Sequence, residues 1–417
     1  MISVIDLKIG LFLSLRQIRR ASIWTTGLIV FIMILTFLNL VVLSGILVGL
    51  IEGSITGWHE QYTGDILISN LDNKSYIEGS NNVVNILNNI PEIVSMSPRF
   101  VKGVSVEANY QTKKETDKAN LASGQLIGIN PSAEDEVTGL SSHILEGSYL
   151  IPGDYDKVML GYFLLDKYIN IDNADFTTLK NVGIGTKIRL NIDGTQREVT
   201  VKGILKSKID NVSRGIYMVD SQVKGLIGRD DGNLGQIAIN LKNGTDPNSV
   251  KQKLILSGVD KLGRVQTYVD AQPKFLKDII NTFNLLGNVL SSIGLVVSSI
   301  TIFIVIFINA ITRKKFIGIL KGIGINGGAI EASYVFQSVF YAVVGSLIGI
   351  ALVYLLLVPL FKAHPIDFPF SDGILVAPID QTMFRMALLV VSTIIAGYIP
   401  ARMIVRKNTL DSILGRK

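Results

Sequence analysis

Three long stretches of the chain contain no Asp, Glu, Lys or Arg: residues 21–51, 279–312 and 332–361. Each exceeds the roughly 20 apolar residues that carry a helix across a bilayer, and a core helix of a soluble domain rarely runs so far without a charge. A fourth stretch, 386–401, is shorter. Arg385 at its edge can snorkel to the headgroups and let Met383 and Phe384 join the span. A hydrophobic content of 48% over 417 residues agrees with a membrane protein. The first apolar run is too long for a signal-peptide core and lacks a small-residue cleavage site, so it is expected to remain attached.

Between the first and second spans lies a segment of a different kind. Residues 52–278 carry 28 acidic and 25 basic residues, net −3, whereas the remainder of the chain is net +9. Outside that segment thirteen basic residues (Lys8, Arg16, Arg19, Arg20, Arg313, Lys314, Lys315, Lys321, Arg402, Arg406, Lys407, Arg416 and Lys417) fall on one side of a four-span chain, and Lys362 and Arg385 fall on the other. Basic residues near span ends are retained on the cytoplasmic side. Both termini and the loop between spans two and three are therefore expected in the cytoplasm, with 52–278 outside. The positive charge is read as a topology signal and not as a nucleic-acid footprint.

These readings divide the chain into a cytoplasmic amphipathic helix (1–20), span one (21–51), the extracytoplasmic domain (52–278), span two (279–312), a cytoplasmic loop (313–330), span three (331–361), an outer loop (362–382), span four (383–401) and a cytoplasmic tail (402–417). In the first of these, Ile5, Ile9 and Phe12 form one helical stripe and Leu11, Leu15 and Ile18 another, as in a helix lying on a membrane surface. Gly45 and Gly49 in span one, and Gly345 and Gly349 in span three, are small-xxx-small pairs that permit close helix contact. Within 52–278, alternating runs at 65–69, 103–110, 125–130 and 187–192 predict strands. Asp193-Gly194 predicts a hairpin turn, 82–90 and 161–169 predict helices, and 70–82 and 111–120 predict exposed loops. The domain is expected to be α+β, and a helix starting near Pro273 is expected to lead into span two.

Catalytic chemistry is sparse. The chain has no cysteine, which removes disulfides, thiolate catalysis and cysteine-ligated metal. His59, His143 and His364 are scattered, without metal-ligand spacing, so neither a metal nor another cofactor is expected. There is no phosphate loop of the G-x-x-x-x-G-K-[ST] kind. Gly322, Gly324 and Gly327 fit G-x-G-x-x-G, but between two spans rather than after a strand, which argues against a dinucleotide site. No span carries a charge at its centre for an ion or proton relay. Energy is expected from a partner.

The residues 313–324, Arg-Lys-Lys-Phe-Ile-Gly-Ile-Leu-Lys-Gly-Ile-Gly, resemble the cytoplasmic loop of the MacB/LolCDE-type permeases, also called FtsX-like permeases. Pro400-Ala401-Arg402, after Tyr398-Ile399, is similar to that family's terminus. Gly128-Ile129-Asn130-Pro131, Gly147-Ser148-Tyr149-Leu150, Val158-Met159-Leu160-Gly161 and Gly185-Thr186-Lys187-Ile188 resemble successive motifs of its external domain. Val42-Leu43-Ser44-Gly45 and Gly64-Asp65-Ile66-Leu67-Ile68 resemble the exit from span one in the lipoprotein-releasing members. Phe316 stands where many members carry an acidic residue, and Gln337 where some carry Glu.

The resemblance implies four transmembrane α-helices with a large α+β extracytoplasmic domain between helices 1 and 2. It also implies a permease subunit without its own ATPase, working in a homo- or heterodimer with a separate ABC ATPase. ATP hydrolysis on that partner would move the external domain for lipoprotein release or for peptide or drug export. The alternative is a regulator that signals to an external hydrolase. Arg313, Lys314, Lys315 and Lys321 would offer charge to the ATPase, and Phe316, Ile317, Ile319 and Leu320 an apolar face.

Overall fold

Among the described residues four helices are long and apolar enough to cross a membrane: Ile23–Thr63, Lys274–Thr312, Gly327–Ala363 and Ile379–Val405. The computed structural model describes residues 3–114, 118–169, 177–364, 366–368, 371–373 and 375–406. Lys407, Arg416 and Lys417 of the expected basic tail, and 115–117 of the expected loop, lie outside the described residues. The chain forms two compact units. One holds the spans, and the other is built from residues 52–277.

Span three is the hub of the helical unit because its small residues admit its neighbours. A side chain at Gly345 would meet the Met33 Cβ at 2.5 Å, and one at Gly349 would meet the Phe37 ring at 2.4 Å, so span one lies directly against these two glycines. A side chain at Gly397 of span four would likewise meet the Ser338 Oγ at 2.5 Å. Span two packs more lightly. It touches span one through a Ser44–Ser291 hydroxyl bond of 3.0 Å and through Gly294 beside Asn39. Asn39 opens a π-helical turn, Asn39–Leu43, a widened segment that interrupts span one.

The amino-terminal helix, Val4–Arg20, is capped by Ser3 and Asp6 in a reciprocal capping box. Its buried positions are Asp6, Gly10 and Ser14, one face at i, i+4 and i+8. Gly10 lets that face approach span three, with Ala332 Cβ 2.7 Å from where its own Cβ would stand. Val4, Ile5, Leu11, Phe12 and Leu15 are exposed on the other faces. Apolar residues outward and small or polar residues inward suit a helix whose surroundings are lipid.

The second unit is a mixed α+β domain on ten strands: β1 (Ile66–Ser69), β2 (Ile93–Glu107), β3 (Leu121–Ile129), β4 (Ile144–Gly147), β5 (Lys157–Gly161), β6 (Lys187–Ile192), β7 (Thr195–Leu205), β8 (Gly215–Val219), β9 (Gln236–Leu241) and β10 (Arg264–Thr267). At one end the order is β10-β1-β9-β2, all antiparallel. Helix Ser80–Asn88 joins β1 to β2 and helix Pro247–Leu256 follows β9. That is the split βαβ, ferredoxin-like arrangement, with β3–β8 inserted between its halves. β2 serves both parts, since Ser95–Arg99 pairs with β9 and Phe100–Glu107 with β3.

Both faces of this sheet are covered, which is why several strands read as unbroken apolar runs. Ile66 and Ile68 enter one core and Leu67 the other; Val158 and Leu160 divide likewise from Met159. Asp193 (φ 50°) and Gly194 (φ 89°) form the β6–β7 turn, with both central residues at positive φ as the primed hairpin turn requires. Residues 161–169 are not the expected helix. They hold the end of β5, one 3-10 turn (Tyr162–Leu164) and a bridge from Leu165 to Leu179. Leu164 and Leu165 are adjacent and both buried, and Gly161 lies so near Ser213 that its Cβ would stand 2.1 Å from the Ser213 carbonyl oxygen.

Candidate functional site

The basic segment after span two is a helix, Lys314–Gly322, set off from the span by a break at Arg313. Its end follows from its glycines. Gly324 takes φ +92°, its N–H donates to the Lys321 carbonyl (3.1 Å), and the Ile325 N–H donates to the Leu320 carbonyl (3.0 Å). This is a Schellman stop, closed by Leu320 and Ile325 packing on the same apolar cluster. Asn326 then caps span three by accepting from the Gly328 N–H at 3.3 Å. The G-x-G-x-x-G spacing thus serves a helix–turn–helix connection, and its middle glycine supplies the left-handed residue.

Side-chain bonds tie this helix into the bundle. Lys321 Nζ donates to the Val405 carbonyl at the end of span four (2.8 Å), and Asn326 Nδ2 donates to Asp6 of the amino-terminal helix (3.0 Å). Ile317 is buried in the cluster that also holds Ile302, Ile306, Tyr334 and Ile404, and Leu320 packs against that cluster. Ile317 and Leu320, which the sequence places on a docking face, lie on the side of the helix that packs on this cluster. Phe316 (65% exposed), Ile319 (44%) and Ile323 (71%) form the outward apolar side. Arg313, Lys314 and Lys315 lie at the start of the helix.

A groove of about 470 Å³ runs between the amino-terminal helix, this connecting helix and span three. Leu13, Arg16, Gln17 and Arg20 line one wall, one helical face at i, i+3, i+4 and i+7. Those residues carry no sequence signal beyond topology, because a groove between distant segments leaves no local pattern.

Other expected contact residues fall elsewhere. Gly45 is closed off within its own chain: a Cβ there would meet Leu375 at 2.7 Å and the Val376 carbonyl oxygen at 2.8 Å, and the Val376 N–H donates to the Gly45 carbonyl (3.2 Å). It packs on the segment before span four, not on another helix, and Gly49 is also buried. Pro400 and Ala401 are buried inside the last helix, while Arg402 is exposed with its guanidinium over the Tyr398 ring at 5.6 Å. Arg385 is half-buried rather than fully extended to the surface. Its Nη2 lies 3.4 Å from the Gln381 side-chain oxygen, and its Nη1 has no hydrogen-bond partner among the described residues.

The core domain carries a feature absent from the sequence reading. Arg99 on β2 and Glu134 on helix Pro131–Thr138 form an ion pair with side chains only 1% and 2% exposed. Arg99 donates from Nε to Oε2 (2.8 Å) and from Nη2 to Oε1 (2.7 Å), a bidentate fork; Ser97 and Thr138 hydroxyls donate to the same carboxylate at 2.6 and 3.0 Å. Burial works to lower the Arg99 pKa, but the Glu134 charge and its hydrogen bonds outweigh this and hold it above the ordinary arginine value. Arg99 Nη2 also donates to the Tyr62 carbonyl (2.8 Å). Tyr62 lies in the last turn of the helix that begins at Ile23.

A polar cleft of about 710 Å³ in the same domain is lined by His59, Asp65, Glu136 and His143, among others, with His59 Nε2 2.9 Å from Asp65. Among the described residues no group of three or more His, Asp or Glu is placed to hold a metal ion.

Residues 26–255 match the MacB-like periplasmic core domain, and residues 288–409 match the FtsX-like permease C-terminal domain. The solved periplasmic region of MacB from Actinobacillus actinomycetemcomitans is similar at 17% identity and a TM-score of 0.33, covering 49% of this chain and 88% of that one. No curated protein matches. With the core-domain match alone spanning more than half of its length, the chain belongs to the FtsX/MacB-type family of ABC transporter permeases.

Proposed function

We propose that this permease is the transmembrane subunit of a mechanotransmission machine, in which a separate ABC ATPase grips the connecting helix Lys314–Gly322 and drives motion of the core domain. Two permease subunits, alike or different, sit on two ATPase subunits in the cell membrane, with both termini and the connecting helix in the cytoplasm. ATP is hydrolysed on the partner, and the stroke releases a lipoprotein or expels a peptide or drug-like molecule. One observation carries the reading. The connecting helix is apolar on two sides, and among the described residues only one is packed against the rest of the chain. Ile317 holds it to the bundle and Lys321 to span four, so a load applied to Phe316, Ile319 and Ile323 passes to membrane helices at several points. Arg313, Lys314 and Lys315 beside that face suit an acidic partner surface.

The test is to replace Phe316, Ile319 and Ile323 together with Asp, leaving every basic residue and the inward face unchanged. The variant should insert and melt like the parent but lose the ATPase during purification of the membrane complex. Retention of the ATPase with full substrate-stimulated turnover would place the contact elsewhere. Identifying whatever else copurifies with the parent complex separates cargo release from the regulator reading, which requires an external hydrolase bound to the core domain.

A further inference from the structure

The groove beside the connecting helix contains four cations, Arg16, Arg20, Arg313 and Lys315, and among the described residues no carboxylate lines it. Among the described residues none of the four forms an ion pair. Like charges converging on one cavity repel, and an anion placed between them relieves that repulsion. The depth of the site narrows the choice of anion. Arg20 precedes the start of the first spanning helix at Ile23, and Arg313 follows the end of the second at Thr312. Basic side chains at span ends lie at the level of the lipid headgroups. Beside the charges the lining is hydrocarbon, with Leu13, Ile317 and Leu320.

We propose that this groove binds one anionic phospholipid, its phosphate held by Arg16, Arg20, Arg313 and Lys315 and its acyl chains leaving along Leu13. The volume of about 470 Å³ is that of a small-molecule site. Basic pockets between membrane helices at the headgroup level are suited to anionic lipid heads. A free phosphate would satisfy the cations but leave the apolar lining unused. The proposal stands without the ATPase, since occupancy is read on the purified chain.

The experiment is native mass spectrometry of the full chain in detergent, with added phosphatidylglycerol or phosphatidylcholine of identical acyl chains. One phosphatidylglycerol should be retained per chain, and phosphatidylcholine should be lost. R16Q/R20Q should weaken retention at least tenfold, because each cation near a lipid surface contributes roughly fivefold. K8Q/R19Q removes the same charge from the same helix outside the groove and should leave retention unchanged, and excess glycerol phosphate should not displace the lipid. Equal retention of the two lipids overturns the proposal, as does equal weakening by K8Q/R19Q. Displacement by glycerol phosphate would assign the groove to a soluble anion. An R16Q/R20Q chain that keeps its lipid but loses the ATPase would make it a protein site. The comparison of the two lipids on the unaltered chain decides the matter even where R16Q/R20Q fails to fold.

Discussion

Replacing Glu134 with Ala should destabilise the core domain more than any single substitution at its surface. Four donors converge on that carboxylate: two guanidinium N–H groups of Arg99 and the hydroxyls of Ser97 and Thr138. Removing it leaves a guanidinium that is 1% exposed without its counter-charge. Breaking a buried pair from one side costs about 3–5 kcal/mol. Each kcal/mol shifts the melting temperature of a domain this size by about 2–4 °C, so a fall of roughly 6–20 °C is expected. Trp58 provides the readout, because it is buried in the same domain with its ring 5.1 Å from that of Tyr62, whose carbonyl Arg99 also binds. Thermal unfolding would be followed by Trp58 fluorescence in the purified full chain, with Trp24 changed to Phe. The double variant R99M/E134L removes both charges and fills the space with apolar groups, so it should recover at least half of the loss. A shift under about 2 °C for E134A, or a double variant as unstable as E134A, would refute the assignment of the pair as a buried anchor.

Gly345→Leu should cost about 1–3 kcal/mol through overpacking against Met33, whereas Gly27→Leu, with nothing within 4 Å of its Cβ position, should be neutral; thermal stability in detergent compares them. In this cysteine-free chain, Lys118→Cys in the core domain should react with a membrane-impermeant thiol reagent in intact cells, and Gly322→Cys in the connecting helix should not; the reverse labelling would invert the topology. Burial works to raise the Asp154 pKa, but Lys157, Lys202 and the Ile151 N–H all donate to its carboxylate and together hold it below the usual value. Its contribution is therefore complete above the unfolded pKa of about 3.9 and lost as pH falls through the lower folded value. The gap in melting temperature between the parent and D154N should be present at pH 6 and shrink below about pH 4, and a gap of equal size at both would exclude this linkage.

The spans and the β6–β7 hairpin were legible because each rests on local chemistry: uncharged length in one case, two adjacent residues that tolerate positive φ in the other. What escaped the sequence depends on partners far along the chain. Arg99 stands between Pro98 and Phe100 on a strand, where an arginine ordinarily marks a solvent-facing position, and only the arrival of Glu134 from another element lets it be buried. The glycine spacing in span one signals close approach equally well, but it cannot say that the approaching group at Gly45 is the loop at 375–376. The amino-terminal helix inverts the rule used for soluble proteins. Its buried side is the Asp6, Gly10 and Ser14 face, and the apolar stripes that stand out in the sequence point away from the protein.

The connecting helix joins these two kinds of reading. Its six apolar and glycine positions from Phe316 to Gly322 surround the helix, so periodicity alone does not separate a face that packs on the bundle from one that waits for a partner. Packing makes the separation, since Ile317 reaches the cluster of Ile302 and Tyr334 while Phe316 and Ile323 remain exposed. A helix at the water boundary that keeps large apolar groups exposed after its own chain has folded loses hydrophobic stabilisation unless a second surface covers them. The basic residues at its start keep that surface from being lipid hydrocarbon, because burying Lys314 and Lys315 in the bilayer would cost more than the exposed apolar side chains return. A surface apolar at its centre and acidic at its rim would cover Phe316, Ile319 and Ile323, and the proposed ATPase groove has that description.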